Sequence, residues 1–170
     1  MFEMPQKTES RHTGSILFIV LAIILLAAGV LFIAFACRSY FRYQQYGRAV
    51  EYTFGSTSQV VATLEDGTRV RLSDHNRTVL YSMLTDSSGQ RHESGGETGD
   101  SFEFYASSAV GTAAATVADA GDGWVYLHME YEDESWDYYF QNRSDYDMWL
   151  RAVSPDGGLE PNTVLKNKVG

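Results

Sequence analysis

The stretch Ile16–Cys37, ILFIVLAIILLAAGVLFIAFAC, constrains this chain more than any other, because it runs for twenty-two residues without a charge. As a helix it extends about 33 Å, enough to cross a hydrocarbon core about 30 Å thick. Fifteen of its residues are Leu, Ile, Val or Phe. At a few tenths of a kcal/mol each they favour insertion by roughly 5–9 kcal/mol, an upper bound because the scale refers to the helix centre. Ala34-Phe35-Ala36 has the small-x-small form of a signal cleavage site, but the apolar run is longer than the roughly 7–15 residues of a cleaved signal. Lipoprotein processing at Cys37 calls for an aliphatic residue where Ala34 stands. The expectation is an uncleaved transmembrane helix over 15–37, preceded by a disordered tail at 1–14, with the lipid bilayer as its first partner.

Orientation rests on two opposed signals. Lys7 and Arg11 precede the span, and Arg38, Arg42 and Arg48 follow it. That count leans towards a cytoplasmic C-terminus by a single charge. Residues 49–170 point the other way: twenty acids face eight bases, a net charge of −12, and only Lys166 and Lys168 are lysines. A Ser-, Thr-, Gly- and Tyr-rich acidic segment of this kind favours a single-pass protein of the cell membrane with an extracytoplasmic C-terminal domain. The same charge argues against nucleic acid and against docking on anionic lipid. Cys37 is the only cysteine, so an internal disulfide or a Cys-based zinc site is excluded. At the membrane edge it serves as a small apolar helix residue, or as a palmitoylation site if it faces the cytoplasm.

Beyond the span the chain has room for one compact domain. Arg38–Arg48 (RSYFRYQQYGR) mixes arginines with four aromatic rings, which suits the headgroup zone and makes 38–56 a juxtamembrane segment. In Gln59–Ser73 (QVVATLEDGTRVRLS) two alternating apolar runs flank Asp66-Gly67. A two-residue loop would put the two runs on opposite faces. A three-residue loop, Glu65-Asp66-Gly67 with Gly67 left-handed, pairs Leu64 with Thr68 and aligns them. Arg69 and Arg71 then lie on the outer face. Asp74–Asp86 carries one apolar stripe (Val79, Leu80, Met83, Leu84) and predicts a helix capped by Ser73 or Asp74. Residues 90–100, QRHESGGETGD, have no large apolar side chain and predict a mobile loop, with His92 exposed in it.

The second half predicts an antiparallel sheet: a strand around Phe102 and Phe104, Thr112–Ala118, Trp124–Tyr131 and Trp136–Gln141. Ser144-x-x-Asp147 resembles a capping box before Tyr146, Trp149, Leu150 and Val153, spaced as one helix face. The fold class is therefore α+β: one N-terminal transmembrane helix, then a single ββα-ββββ-α domain over 57–154 with a mostly antiparallel sheet, and a loose tail at 155–170.

Motifs that carry chemistry are few. The sequence has no nucleophile elbow, no phosphate-cradling glycine loop, no His-Glu-x-x-His and no calcium-loop spacing. Asn76-Arg77-Thr78 and Asn142-Arg143-Ser144 match the glycosylation sequon. The richest stretch is the hairpin Trp124–Gln141. A loop at Asp133-Glu134, or a four-residue loop over Glu132–Ser135, sets Tyr131 opposite Trp136. One face is then core, and the other carries Trp124, Tyr126, His128 and Glu130 against Asp137, Tyr139 and Gln141. In this register Glu130 faces Asp137 and His128 faces Tyr139. Opposed carboxylates repel unless a cation or proton sits between them. Trp124, Tyr126, His128 and Tyr139 are accordingly the candidate ligand-binding residues, and Glu130 and Asp137 the candidate pair for a cationic group or a metal ion such as calcium. Three functions follow: a membrane-tethered acidic domain that binds a ligand or partner protein, a small envelope hydrolase, or a cytosolic-facing accessory subunit of a membrane complex.

Overall fold

The computed structural model describes residues 10–55, 58–86, 88–93 and 99–166, with side chains from Ile16 onward. Parts of the expected segments lie outside these residues: 1–9 of the N-terminal tail, 56 and 57 at the boundary of the juxtamembrane segment and the domain, 87 and 94–98 within the domain, and 167–170 of the C-terminal tail. The chain divides into two compact units, 1–44 and 45–170.

Helix α1, Ser10–Thr53, is uninterrupted for 44 residues. From Ile16 it is long and apolar enough to cross a membrane, and protein buries none of its most apolar window. Leu17, Phe18, Phe32 and Phe35 are each 72–74% exposed, as lipid-facing side chains would be. Nothing after Cys37 stops the helix, because the following residues contain no proline and Gly47 is an isolated interior glycine.

The second unit is an α+β fold built on one open antiparallel sheet of eight strands. In chain order these are β1 (Gln59–Thr63), β2 (Arg69–Arg71), β3 (Gln90–Glu93), β4 (Ser101–Ser107), β5 (Thr112–Gly121), β6 (Trp124–Tyr131), β7 (Glu134–Gln141) and β8 (Thr163–Val164). Their spatial order is β3-β7-β6-β5-β4-β1-β2-β8. Alternation decides which face is closed. Val60, Ala62, Val70, Phe102, Phe104, Ala115, Val117, Val125, Leu127, Met129, Trp136, Tyr138 and Phe140 are all buried. Helices α2 (Asp74–Thr85) and α3 (Tyr146–Val153) pack against each other and bury Leu80, Met83, Leu84, Trp149 and Val153. The β1–β2 hairpin has the three-residue loop that aligns its apolar runs: Leu64 N–H donates to Thr68 O at 2.9 Å, and Gly67 is left-handed at φ 78°.

Several expectations are corrected. Tyr46, counted among the headgroup aromatics, is 0% exposed. Its ring packs 5.2 Å from Tyr138 and 6.1 Å from Trp136, and its hydroxyl donates to Leu84 O at 2.9 Å. The last turns of α1 therefore belong to the core of the second unit, because Tyr46, Ala49, Val50 and Thr53 recur at helical spacing. Residues 90–93 are not loop but an edge strand, β3, paired with β7. The helix cap before α3 is Asp145, whose carboxylate accepts Met148 N–H at 3.0 Å, rather than Ser144.

The tail after Pro155 is tied down over its described part. Asn162 is buried, its Oδ1 accepts from Ser73 N–H (2.9 Å) and Asn76 Nδ2 (3.0 Å), and its Nδ2 donates to Ala152 O (2.9 Å) and Ser154 O (2.6 Å). β8 then adds to β2. The approach requires Gly157, left-handed at φ 57°, because a Cβ there would collide with Glu160 O and Asn76 Nδ2.

Candidate functional site

The helices cover one face of the sheet, and strand pairing fixes what lies on the other. Residues directly opposite share a face. One row on the open face runs Arg69, Thr63, Glu103, Thr116, His128, Asp137 across β2, β1, β4, β5, β6 and β7. The next runs Arg71, Val61, Tyr105, Ala114, Glu130, Ser135. A third joins Ser101, Ala118, Tyr126, Tyr139 and His92 through to β3.

The β6–β7 register differs from the expected one by two residues. The loop is Glu132-Asp133, so Tyr131 faces Glu134, His128 faces Asp137 and Tyr126 faces Tyr139. Glu132 supplies the left-handed conformation of this turn at φ 53°, a task that the sequence marks with neither glycine nor asparagine. A slip of two preserves every residue's face, whereas a slip of one would invert it. The two predicted faces are therefore right and the predicted pairs are not.

This register removes the premise of opposed carboxylates. Glu130 and Asp137 flank one imidazole: His128 Nδ1 lies 2.8 Å from Asp137 Oδ1 and Nε2 lies 3.3 Å from Glu130 Oε1. Tyr126 OH donates to the same Asp137 oxygen at 2.7 Å. Burial of the ring works to lower the His128 pKa. The hydrogen bonds to Asp137 and Glu130, and the charges of both, outweigh it and leave the pKa raised. Since the two carboxylates contact opposite ring nitrogens, they do not converge on one point. Among the described residues no group of three or more His, Cys, Asp or Glu side chains is placed to hold a metal ion.

The aromatic residues do gather. Tyr126 lies 5.2 Å from Tyr139, and Trp124 joins them through His92, which stacks on Tyr139 at 5.0 Å with 10° between planes and lies 4.9 Å from Trp124. Sequence reasoning missed His92 because Gln90–Glu93 is too short and too polar to signal a strand. It also missed the groove beside this cluster. That groove has a volume of about 350 Å³, and its lining includes Arg69, Glu103, Tyr105, Ala114, Thr116, His128 and Glu130. Over β5 the small side chains Ala114 and Thr116 lie between Glu103 and Tyr105 of β4 and His128 and Glu130 of β6, and the lining continues past β4 over Val61 and Thr63 to Arg69. Alternation of Ala114 and Thr116 along β5 was the available signal, but it takes the strand order to show which walls they separate.

Neither sequon presents its amide nitrogen in the folded unit. Asn76 is 1% exposed and donates to Glu160 O and Asn162 Oδ1, and the Asn142 Nδ2 is buried. Comparison of the chain with protein-family models, with curated proteins and with solved structures finds no match.

Proposed function

We propose that this is a single-pass membrane protein whose acidic C-terminal unit, held outside the cytoplasm, binds a partner protein or ligand on the open face of its sheet. The observation that carries the proposal is the groove over β5 beside the cluster of Trp124, Tyr126, Tyr139 and His92. Concave surfaces lined by rings and a few convergent polar groups are the usual form of a binding site. The 22 uncharged residues of Ile16–Cys37 support the anchor, and the acidity of residues 49–170 supports the external placement.

The test uses the full-length protein in its native membranes. A photo-reactive aromatic residue in place of Tyr105, in the lining of the groove, is expected to give one discrete adduct, while the same residue at Thr78, on the exposed side of α2, gives none. Equal adducts from both positions, or none from position 105, would overturn the binding face. Protease access to the unit in intact cells reads the orientation, and protection would return the domain to the cytosol.

A further inference from the structure

We propose that the groove over β5 receives a lysine- or arginine-bearing segment of a partner protein, with the cationic side chain lying between Glu103 and Glu130. This rests on the open face being the binding surface, and it adds what binds there. β4 and β6 are two strand spacings apart, about 9.6 Å, so a side chain resting on Ala114 and Thr116 lies about 5 Å from each wall. Each wall carries one carboxylate, Glu103 on β4 and Glu130 on β6. Tyr105, 50% exposed, lies in the same row as Glu130 and adds an aromatic ring to the lining, a group that attracts cations.

Charge complementarity selects the occupant. The net charge of −12 on residues 49–170 attracts cations and repels acidic segments during approach. The basic residues of the lining are Arg69, at the β2 end, and His128, whose Nε2 lies 3.3 Å from Glu130 and leaves that carboxylate's other oxygen for the incoming cation. A segment with several cations therefore avoids crossing the sheet towards β2 and runs along β5. The volume of about 350 Å³ is near the lower end for binding sites, which suits one long side chain with its adjoining backbone rather than a folded surface.

The experiment places the full-length protein in nanodiscs of zwitterionic lipid and follows the Ala114 methyl resonance. The probes are short Gly-Ser peptides carrying one central Arg, Lys, Gln or Glu. The Arg and Lys peptides are expected to shift the signal and the Gln and Glu peptides to leave it. Glu103→Gln and Glu130→Gln each weaken binding about two- to fivefold, the range of exposed ion pairs. Thr116→Met obstructs the groove without changing charge and abolishes binding at an unchanged melting temperature. Phe substituted for Ala114, read by loss of the Tyr105 ring shifts, is the second obstruction. Glu132→Gln, outside the groove, leaves affinity unaltered. Equal shifts from the Gln or Glu peptide overturn the basic occupant while leaving the binding face intact. No shift from any peptide overturns this inference, and the adduct at position 105 decides the broader proposal separately. Weakening by Glu132→Gln as large as that by Glu130→Gln means diffuse attraction to an acidic surface, and overturns the site.

Discussion

The same strands make both faces of this sheet, yet the faces obey different rules. On the closed face, Val125, Leu127, Met129, Trp136, Tyr138 and Phe140 are each 0–2% exposed. There, volume and contact set the energy, and any one truncation is felt by its neighbours. On the open face, the intervening residues are polar, small or ringed, and their energies come from hydrogen bonds, stacking and partial charge. His128 and Asp137 retain 32% and 41% side-chain exposure even while bonded to each other. The difference teaches where to look for function: substitutions on the closed face report on folding, and those on the open face report on recognition.

The sharpest way to break that contrast is at Tyr46, which reaches the closed face from α1. Tyr46→Ala removes a fully buried ring that touches Trp136, Tyr138 and Phe140. It is expected to cost about 3–5 kcal/mol, as buried aromatic truncations do. Tyr46→Phe keeps the ring and loses the bond to Leu84 O, for about 1 kcal/mol. Urea melts of the full-length protein in micelles read both. A loss under about 1 kcal/mol for the alanine variant would mean that the end of α1 is not part of the core.

The next largest effect is expected at Asn162. Its replacement by alanine strips partners from Ser73 N–H, Asn76 Nδ2, Ala152 O and Ser154 O around a buried side chain. Asn76 retains Glu160 O, and the remaining loss is worth about 2–3 kcal/mol. Proteolysis is then expected to nick the variant after Pro155 faster than the wild type. An open-face counterpart, Glu103→Ala, is exposed and should change stability by less than about 0.5 kcal/mol. A larger loss there would erase the distinction between the two faces.

What was legible in the sequence follows the same division. Alternation is a strong signal where one face is closed, so the strands of Trp124–Gln141 and their faces could be read directly. The register between them could not, because the turn residue Glu132 carries no glycine-like mark of its left-handed conformation. Asp66-Gly67 did carry that mark, and the β1–β2 pairing was correct to the residue. β3 and β8 escaped because four- and two-residue edge strands have almost no pattern of their own. Asn162 escaped because its role depends on Ser73 and Asn76, far away in the chain. The candidate site was half visible: Trp124, Tyr126, His128, Glu130, Asp137 and Tyr139 do share a surface, but the groove needed β4 and β5 set beside β6.

The smallest expected effect tests how the open face holds its own charges. Both nitrogens of His128 can donate only when the ring is protonated, and the contacts to Asp137 and Glu130 favour that form. The other titratable or charged groups in the rows of this face are Tyr126 on the same strand, Tyr139 on β7, His92 on β3, Glu103 and Tyr105 on β4, and Arg69 and Arg71 on β2. With the folded pKa raised above the ordinary 6.5, the stabilisation by His128 is fully present below about pH 6.5 and is lost as pH rises through the folded value. Because the ring is about a third exposed, water screens the pair and the effect stays below about 1 kcal/mol. The measurement is a difference, so that groups common to both proteins cancel: urea stability against pH for the wild type minus that for His128→Gln. That difference should fall between pH 6.5 and the folded pKa, and Asp137→Asn should move the fall to lower pH. Parallel wild-type and His128→Gln profiles would show that the carboxylates hold the ring without holding its proton.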